Sequence, residues 1–141
     1  MKIDISYDHR FLRFPRRETI RTITSVLLRE RKKLNRVSVV YTNNRHIRFI
    51  NGRHLKHHFV TDVITFELEP RPNLETEIYI NLDRARIQAE YYGGSFADET
   101  RRLLVHGLLH ALGFDDKSQS ARDRMRREEN VVLEQLSKEK K

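Results

Sequence analysis

Leu103-Leu-Val-His106-Gly-Leu-Leu-His110-Ala-Leu-Gly113-Phe-Asp115-Asp116 decides how this chain reads. Its leucines and valine surround most of a helical circumference, so the run predicts a helix with a buried C-terminal half. His106 and His110 are four residues apart, which puts them on one face with Cβ atoms about 5–6 Å apart. At that separation two imidazoles reach one metal ion at about 2.0–2.1 Å each. Gly113 stands where the helix should end, because it can take the left-handed conformation that turns the chain back. The turn can return Asp115 or Asp116 toward the same ion. Two neutral nitrogens and one anionic oxygen leave a fourth position for water, the arrangement of catalytic rather than structural zinc sites. A polar group on a buried helix needs a partner, and a metal would supply one for both histidines.

Working outward, Ser95-Phe-Ala-Asp98 resembles a capping box and predicts a helix from about Phe96 to Leu112. Before it, Asp83 is a plausible N-cap for a short helix ending at Gly93-Gly94. Ile78, Ile80 and Leu82 alternate as in a strand, and Val63 to Glu67 predicts another. Glu69-Pro-Arg-Pro-Asn73 joins the two as a turn-rich connection, consistent with a hairpin. Further back, Val37 to Thr42 is β-branched and predicts a strand, as does the alternation of Ile3, Ile5 and Tyr7. Helices are expected over Glu18 to Lys33 and around Ile47 and Ile50, the latter capped by Asn43 or Asn44. A last helix is expected from about Ser120 to Leu136, followed by a disordered Ser-Lys-Glu-Lys-Lys tail.

The 141 residues suffice for one domain with a core, and no repeat or linker divides them. Lys and Arg number 28 against 20 Asp and Glu, a net charge of +8 that favours polyanionic partners. The absence of cysteine excludes disulfides and thiolate metal sites, and fits a reducing cytosol. No apolar N-terminal segment reads as a signal peptide, and no apolar run approaches the ~20 residues of a membrane span. A soluble, cytoplasmic protein is expected.

His106-Gly-Leu-Leu-His110-Ala-Leu-Gly113-Phe-Asp-Asp116 resembles the H-G-x-L-H-x-x-G-x-D-H signature of the YbeY family of rRNA-maturation endoribonucleases. Thr61-Asp-Val-Ile-Thr-Phe66 resembles that family's second motif, T-D-V-L-S-F. The resemblance covers nearly the whole chain and implies an α+β fold: a small mixed four-stranded sheet surrounded by about five helices. It implies a single metal-dependent endoribonuclease domain over residues 1–141, one bound Zn2+ per chain, and cleavage of single-stranded RNA. The 16S rRNA precursor and the ribosome are the implied partners, with 3′-end maturation and ribosome quality control as the role. Three departures stand out. Asp116 occupies the position of the third histidine. It is a competent ligand, and its charge should make the ion a weaker Lewis acid. Leu55 occupies the position of an arginine, so a phosphate-binding role moves to Lys56, His57 or another basic residue. Thr76-Glu77-Ile78 replaces Gly-Asp-Ile at a strand start.

The expected site therefore has His106, His110 and Asp116 on the metal, with Lys56, Asp62 and Asp115 as catalytic candidates. Asp62 and Asp115 could accept protons or orient a histidine; a turn or cap hydrogen bond is the plain alternative for Asp62. Few aromatics stand out as stacking platforms, so backbone and shape recognition is expected. One rival is a zinc peptidase of metzincin-like spacing, but such enzymes need Glu after the first histidine and this chain has Gly107. The other is a non-catalytic, metal-stabilised ribosome-binding module. His9, His46 and His54 carry no functional reading.

Overall fold

The computed structural model describes residues 1–54, 60–70 and 73–139; within His54 only the backbone is described. Four strands form one sheet: β1 (Lys2–Tyr7), β2 (Arg36–Thr42), β3 (Val63–Glu69) and β4 (Glu75–Asn81). Their order is β1-β2-β4-β3. The β1–β2 and β2–β4 pairs are parallel, and β3–β4 is antiparallel. Parallel neighbours need a crossover, and α1 (Arg16–Glu30) supplies it between β1 and β2. The other helices are α2 (Asn44–His54), α3 (Leu82–Tyr92), α4 (Phe96–Ala111) and α5 (Gln119–Glu139). The α+β architecture implied by the family resemblance is thus present.

Strand alternation sorts two cores. Val37, Val39, Tyr41, Ile78 and Ile80 point to one face and pack with Ile23 and Val26 of α1 and Leu104 and Leu108 of α4. Ile64, with Phe66 and Tyr79 beside it, points to the other face and is covered by Ile47 and Ile50 of α2. A helix that is apolar nearly all round is a helix in the middle. α4 packs on β3, β4, α1, α3 and α5, as its sequence requires.

Helix ends depart from expectation where a neighbouring residue offers better hydrogen bonding. α1 ends before Arg31, which adopts the left-handed conformation (φ 55°). The N–H groups of Arg31 and Lys32 then close on the Leu28 and Leu27 carbonyls, so Arg31 to Lys33 lie outside the helix. For α3 the cap is Asn81 rather than Asp83. Asn81 Oδ1 accepts from the N–H groups of Asp83 and Arg84 at 3.1 and 3.2 Å. Asp83 instead accepts from His9 Nε2 at 2.8 Å and from the Asn44 N–H at 3.0 Å. Asn43, not Asn44, caps α2, accepting from the His46 N–H at 2.9 Å. Ser95 caps α4 as its sequence predicts, accepting from the Asp98 N–H at 3.0 Å. α5 is longer than expected and runs through Ser137, Lys138 and Glu139 of the tail.

Candidate active site

Gly107, between the two histidines, sets how α4 meets the sheet. A Cβ there would lie 2.9 Å from Ile78 Cγ2, 3.2 Å from Thr65 Oγ1 and 3.3 Å from Val63 Cγ2. Only glycine lets the helix sit this close. Thr65 Oγ1 donates to the Gly107 carbonyl at 3.3 Å, so the two motifs touch. With Gly107 pressed on the sheet, His106 is turned into a cleft of 520 Å³ flanked by α3 and α5. The position where a zinc peptidase carries its glutamate thus faces β3 and β4 rather than the cleft.

His106 Nδ1 lies 2.7 Å from Glu129 Oε2. A carboxylate only accepts, so Nδ1 carries the proton and Nε2 is the free nitrogen. His110 Nδ1 lies 2.9 Å from the Phe114 carbonyl oxygen, which also only accepts. Gly113, at φ 107°, makes the turn that brings that carbonyl back. Both rings are therefore fixed in the tautomer that offers Nε2, as metal-ligating histidines commonly are. The Glu129 carboxylate pushes the His106 pKa above its ordinary value; burial opposes this, and Asp62 and Asp116 add to it.

Glu129 is only 3% exposed. It also accepts from Arg102 Nη1 at 3.0 Å, and Arg102 Nη2 donates to Asn130 at 2.8 Å. This residue has no role in the motif reading, yet its signal is in the sequence. Met125, Glu129, Val132 and Leu136 share one buried stripe of α5, and a carboxylate inside an apolar stripe needs a partner. Glu99 likewise follows from spacing: Glu99, Leu103 and His106 fall on one stripe of α4. Burial pushes the Glu99 carboxyl up, Arg102 and Arg126 pull it down, and Asp62 and Glu129 raise it again.

Of the sequence candidates, His106, Asp116 and Asp62 line the same cleft. Asp62 accepts from Gln88 Nε2 at 3.2 Å. Asp115 is exposed and accepts from the Lys117 N–H at 2.9 Å, the geometry of an Asx turn, so it points elsewhere. His110 is exposed and is not among the residues lining the cleft. Lys56, His57 and Leu55 lie outside the described residues. Among the described residues no three His, Asp or Glu side chains are gathered closely enough to hold a metal ion together. The chemistry of the donor set fits one nonetheless. Two imidazoles hold out Nε2 from one helix, and an exposed carboxylate follows on the turn after it. Thr76, the strand-start departure, is buried in β4 and donates to the Phe66 carbonyl at 2.9 Å, a structural place remote from the cleft chemistry.

A mixed four-stranded sheet carrying a helix with two tautomer-fixed histidines, one of them lining a carboxylate-rich cleft, defines a class of small α+β enzyme. The chain belongs to the endoribonuclease YbeY family, whose model matches residues 5–137. Among its relatives, endoribonuclease YbeY of Chloroherpeton thalassium is 37% identical, covering 86% of each chain. That of Bacteroides thetaiotaomicron is 33% identical, covering 84% of this chain and 86% of its own. That of Salinibacter ruber is 34% identical over 93% and 89%. The solution structure of TM1509 from Thermotoga maritima has the same fold, with a TM-score of 0.63 at 20% identity over 97% and 93% of the two chains.

Proposed function

We propose that this chain is a zinc-dependent endoribonuclease that cuts single-stranded RNA, maturing the 3′ end of 16S rRNA on the ribosome in the cytoplasm. Family membership supports the RNA chemistry. The observation that carries the metal is the pair of Nδ1 atoms engaged by Glu129 and by the Phe114 carbonyl. His106, His110 and Asp116 would hold the ion. Zn2+ held there would supply Lewis-acid chemistry and a hydroxide source near neutral pH.

The chain's own groups do the rest. Glu129 holds the His106 ring by accepting from Nδ1, and is itself fixed by Arg102. Asp62, oriented by Gln88, is the proton acceptor facing the cleft. Glu99, a carboxyl lining the same cleft, is the candidate donor of a proton to the leaving oxygen. Arg122 and Arg126 on the α5 side of the cleft are placed to meet phosphates. Asp115 keeps a turn role.

The test is elemental analysis of untagged protein beside an Asp116→Ala variant, paired with cleavage of a single-stranded RNA. About one zinc per chain in the wild type, reduced in the variant together with cleavage, is expected. Wild-type protein that takes up no zinc on incubation would sink the three-ligand site. Cleavage that persists unchanged without metal would sink the metal's catalytic role.

A further inference from the structure

The end of α3 carries two tyrosines that the fold does not bury. Tyr91 and Tyr92 are 81% and 71% exposed. Their rings meet edge to face, with centroids 5.0 Å apart and planes at 86°. Directly after them Gly93 closes the helix in the left-handed conformation at φ 74°, its N–H on the Glu90 carbonyl and that of Gly94 on the Ala89 carbonyl. The backbone beneath the pair is therefore fixed, while the rings stand in solvent. Tyr92 is a lining residue of the cleft that holds His106 and Asp116. The same cleft is lined from α5 by Arg122 and Arg126, one helical turn apart on one face. Arg126 is mostly exposed, and its contact with the Glu129 carboxylate is a long 3.7 Å.

An exposed ring lining the same cleft as guanidinium groups has the chemistry that recognises a nucleotide: a flat face for the base and cations for the flanking phosphates. We propose that Tyr92, braced edge-on by Tyr91, is a base-stacking platform that seats one unpaired nucleotide of the RNA at the rim of the cleft. This rests on the endoribonuclease reading of the same cleft. A base within a duplex is already stacked on both faces, so the platform selects unpaired RNA without reading its sequence. One nucleotide held on Tyr92 sets which neighbouring phosphate reaches His106. Tyr92 is thus a residue of substrate choice and positioning.

The experiment measures binding of a fluorescein-labelled single-stranded RNA by anisotropy at fixed salt, and its cleavage, for wild type, Tyr92→Ala and Tyr92→Phe. A duplex of the same length is the comparison ligand. Stacking of one base is worth about 1–3 kcal/mol, so Tyr92→Ala should weaken single-strand binding roughly 5- to 150-fold. Tyr92→Phe should stay close to wild type, and duplex binding should not move. Because Tyr92 is exposed, the urea midpoint of both variants should equal that of the wild type. A Tyr92→Ala protein that binds the single strand as tightly as wild type overturns the platform. So does equal weakening toward single strand and duplex, or a Tyr92→Phe protein as weak as Tyr92→Ala. A wild type that neither binds nor cuts RNA overturns the endoribonuclease reading itself, and that outcome is visible before any variant is made.

Discussion

Gly107→Ala tests the closest approach of α4 to the sheet. The new methyl would sit 2.9 Å from Ile78 Cγ2, a separation real Cβ atoms essentially never show, and within 3.3 Å of Thr65 and Val63. Ile78 is fully buried, so its methyl has no free space to move into. Relief requires α4 to lift from β3 and β4. Overpacking of this kind costs about 1–3 kcal/mol. Alanine recovers about 1 kcal/mol over glycine in a helix interior. The net expectation is a loss of up to roughly 2 kcal/mol in urea unfolding, with an unchanged m-value. The same substitution in an Ile78→Ala background should do the opposite. That background is itself weakened by about 2–5 kcal/mol through the cavity it opens. There the introduced methyl no longer meets Cγ2, partly fills the cavity and keeps its helix gain, so Gly107→Ala should be neutral or stabilising. The reversal of sign between the two backgrounds is the test. An equal loss in both would refute the account of Gly107 as the spacer that seats α4 on the sheet.

Three further outcomes are expected. Glu129→Gln keeps the shape of the buried side chain but removes its charge from His106, and should weaken zinc binding about 10- to 100-fold by competition titration. Unchanged affinity would mean that Glu129 serves only Arg102. Glu18→Gln should destabilise more than Arg101→Met in thermal melts, because the losses are unequal. Arg101 is 6% exposed and, among the carboxylates of the described residues, would keep the well-exposed Asp98, whereas Glu18 would keep Arg21 at 3.1 Å; breaking one side of a buried pair costs about 3–5 kcal/mol. Glu30 is pushed up to about 7 by burial and by the neighbouring Glu128, with Arg29 and Arg124 opposing. A raised carboxyl favours the folded state at low pH, and that benefit is lost as pH rises through about 7. Glu30→Gln should therefore raise the melting temperature at pH 8 and not at pH 5, and a gain equal at both would exclude this titration.

The elements were legible where one periodicity ran uninterrupted. β2 and α4 fall close to their expected places because alternation or an all-round apolar pattern left no competing choice; β4 does so through Ile78 and Ile80, but Leu82, expected in the strand, opens α3 because Asn81 caps the helix there. Ends were less legible, because capping is a competition among adjacent polar residues. Asn81 outcompetes Asp83 once Asp83 has a long-range partner in His9, 74 residues away. The motif announced His106, His110 and Asp116 but not what holds them. Glu129 sits 23 residues beyond His106 on another helix, and its only mark is a carboxylate in an apolar stripe. The tyrosine pair went unremarked because two exposed rings look the same in a sequence as two buried ones. Their place at the cleft depends on where α3 ends.

Asp116 changes the charge of the cleft as well as the ligand set proposed for it. Five carboxylates line it, Asp62, Asp98, Glu99, Asp116 and Glu129, against three guanidinium groups, Arg102, Arg122 and Arg126. The chain as a whole carries +8, so its excess positive charge lies elsewhere, including Arg10, Arg13, Arg16 and Arg17 on and before the first turn of α1. Polyanions are drawn to the molecule by that outer field. Once at the cleft, a phosphate meets more negative charge than positive, and in partly desolvated surroundings that repulsion is stronger than in water. A neutral histidine at position 116, as in the family signature, would leave one carboxylate fewer. Here the cleft is better suited to a divalent cation and worse suited to a bare phosphate. With the proposed cation bound, the aspartate would make its retention and the admission of RNA more closely interdependent than three histidines would.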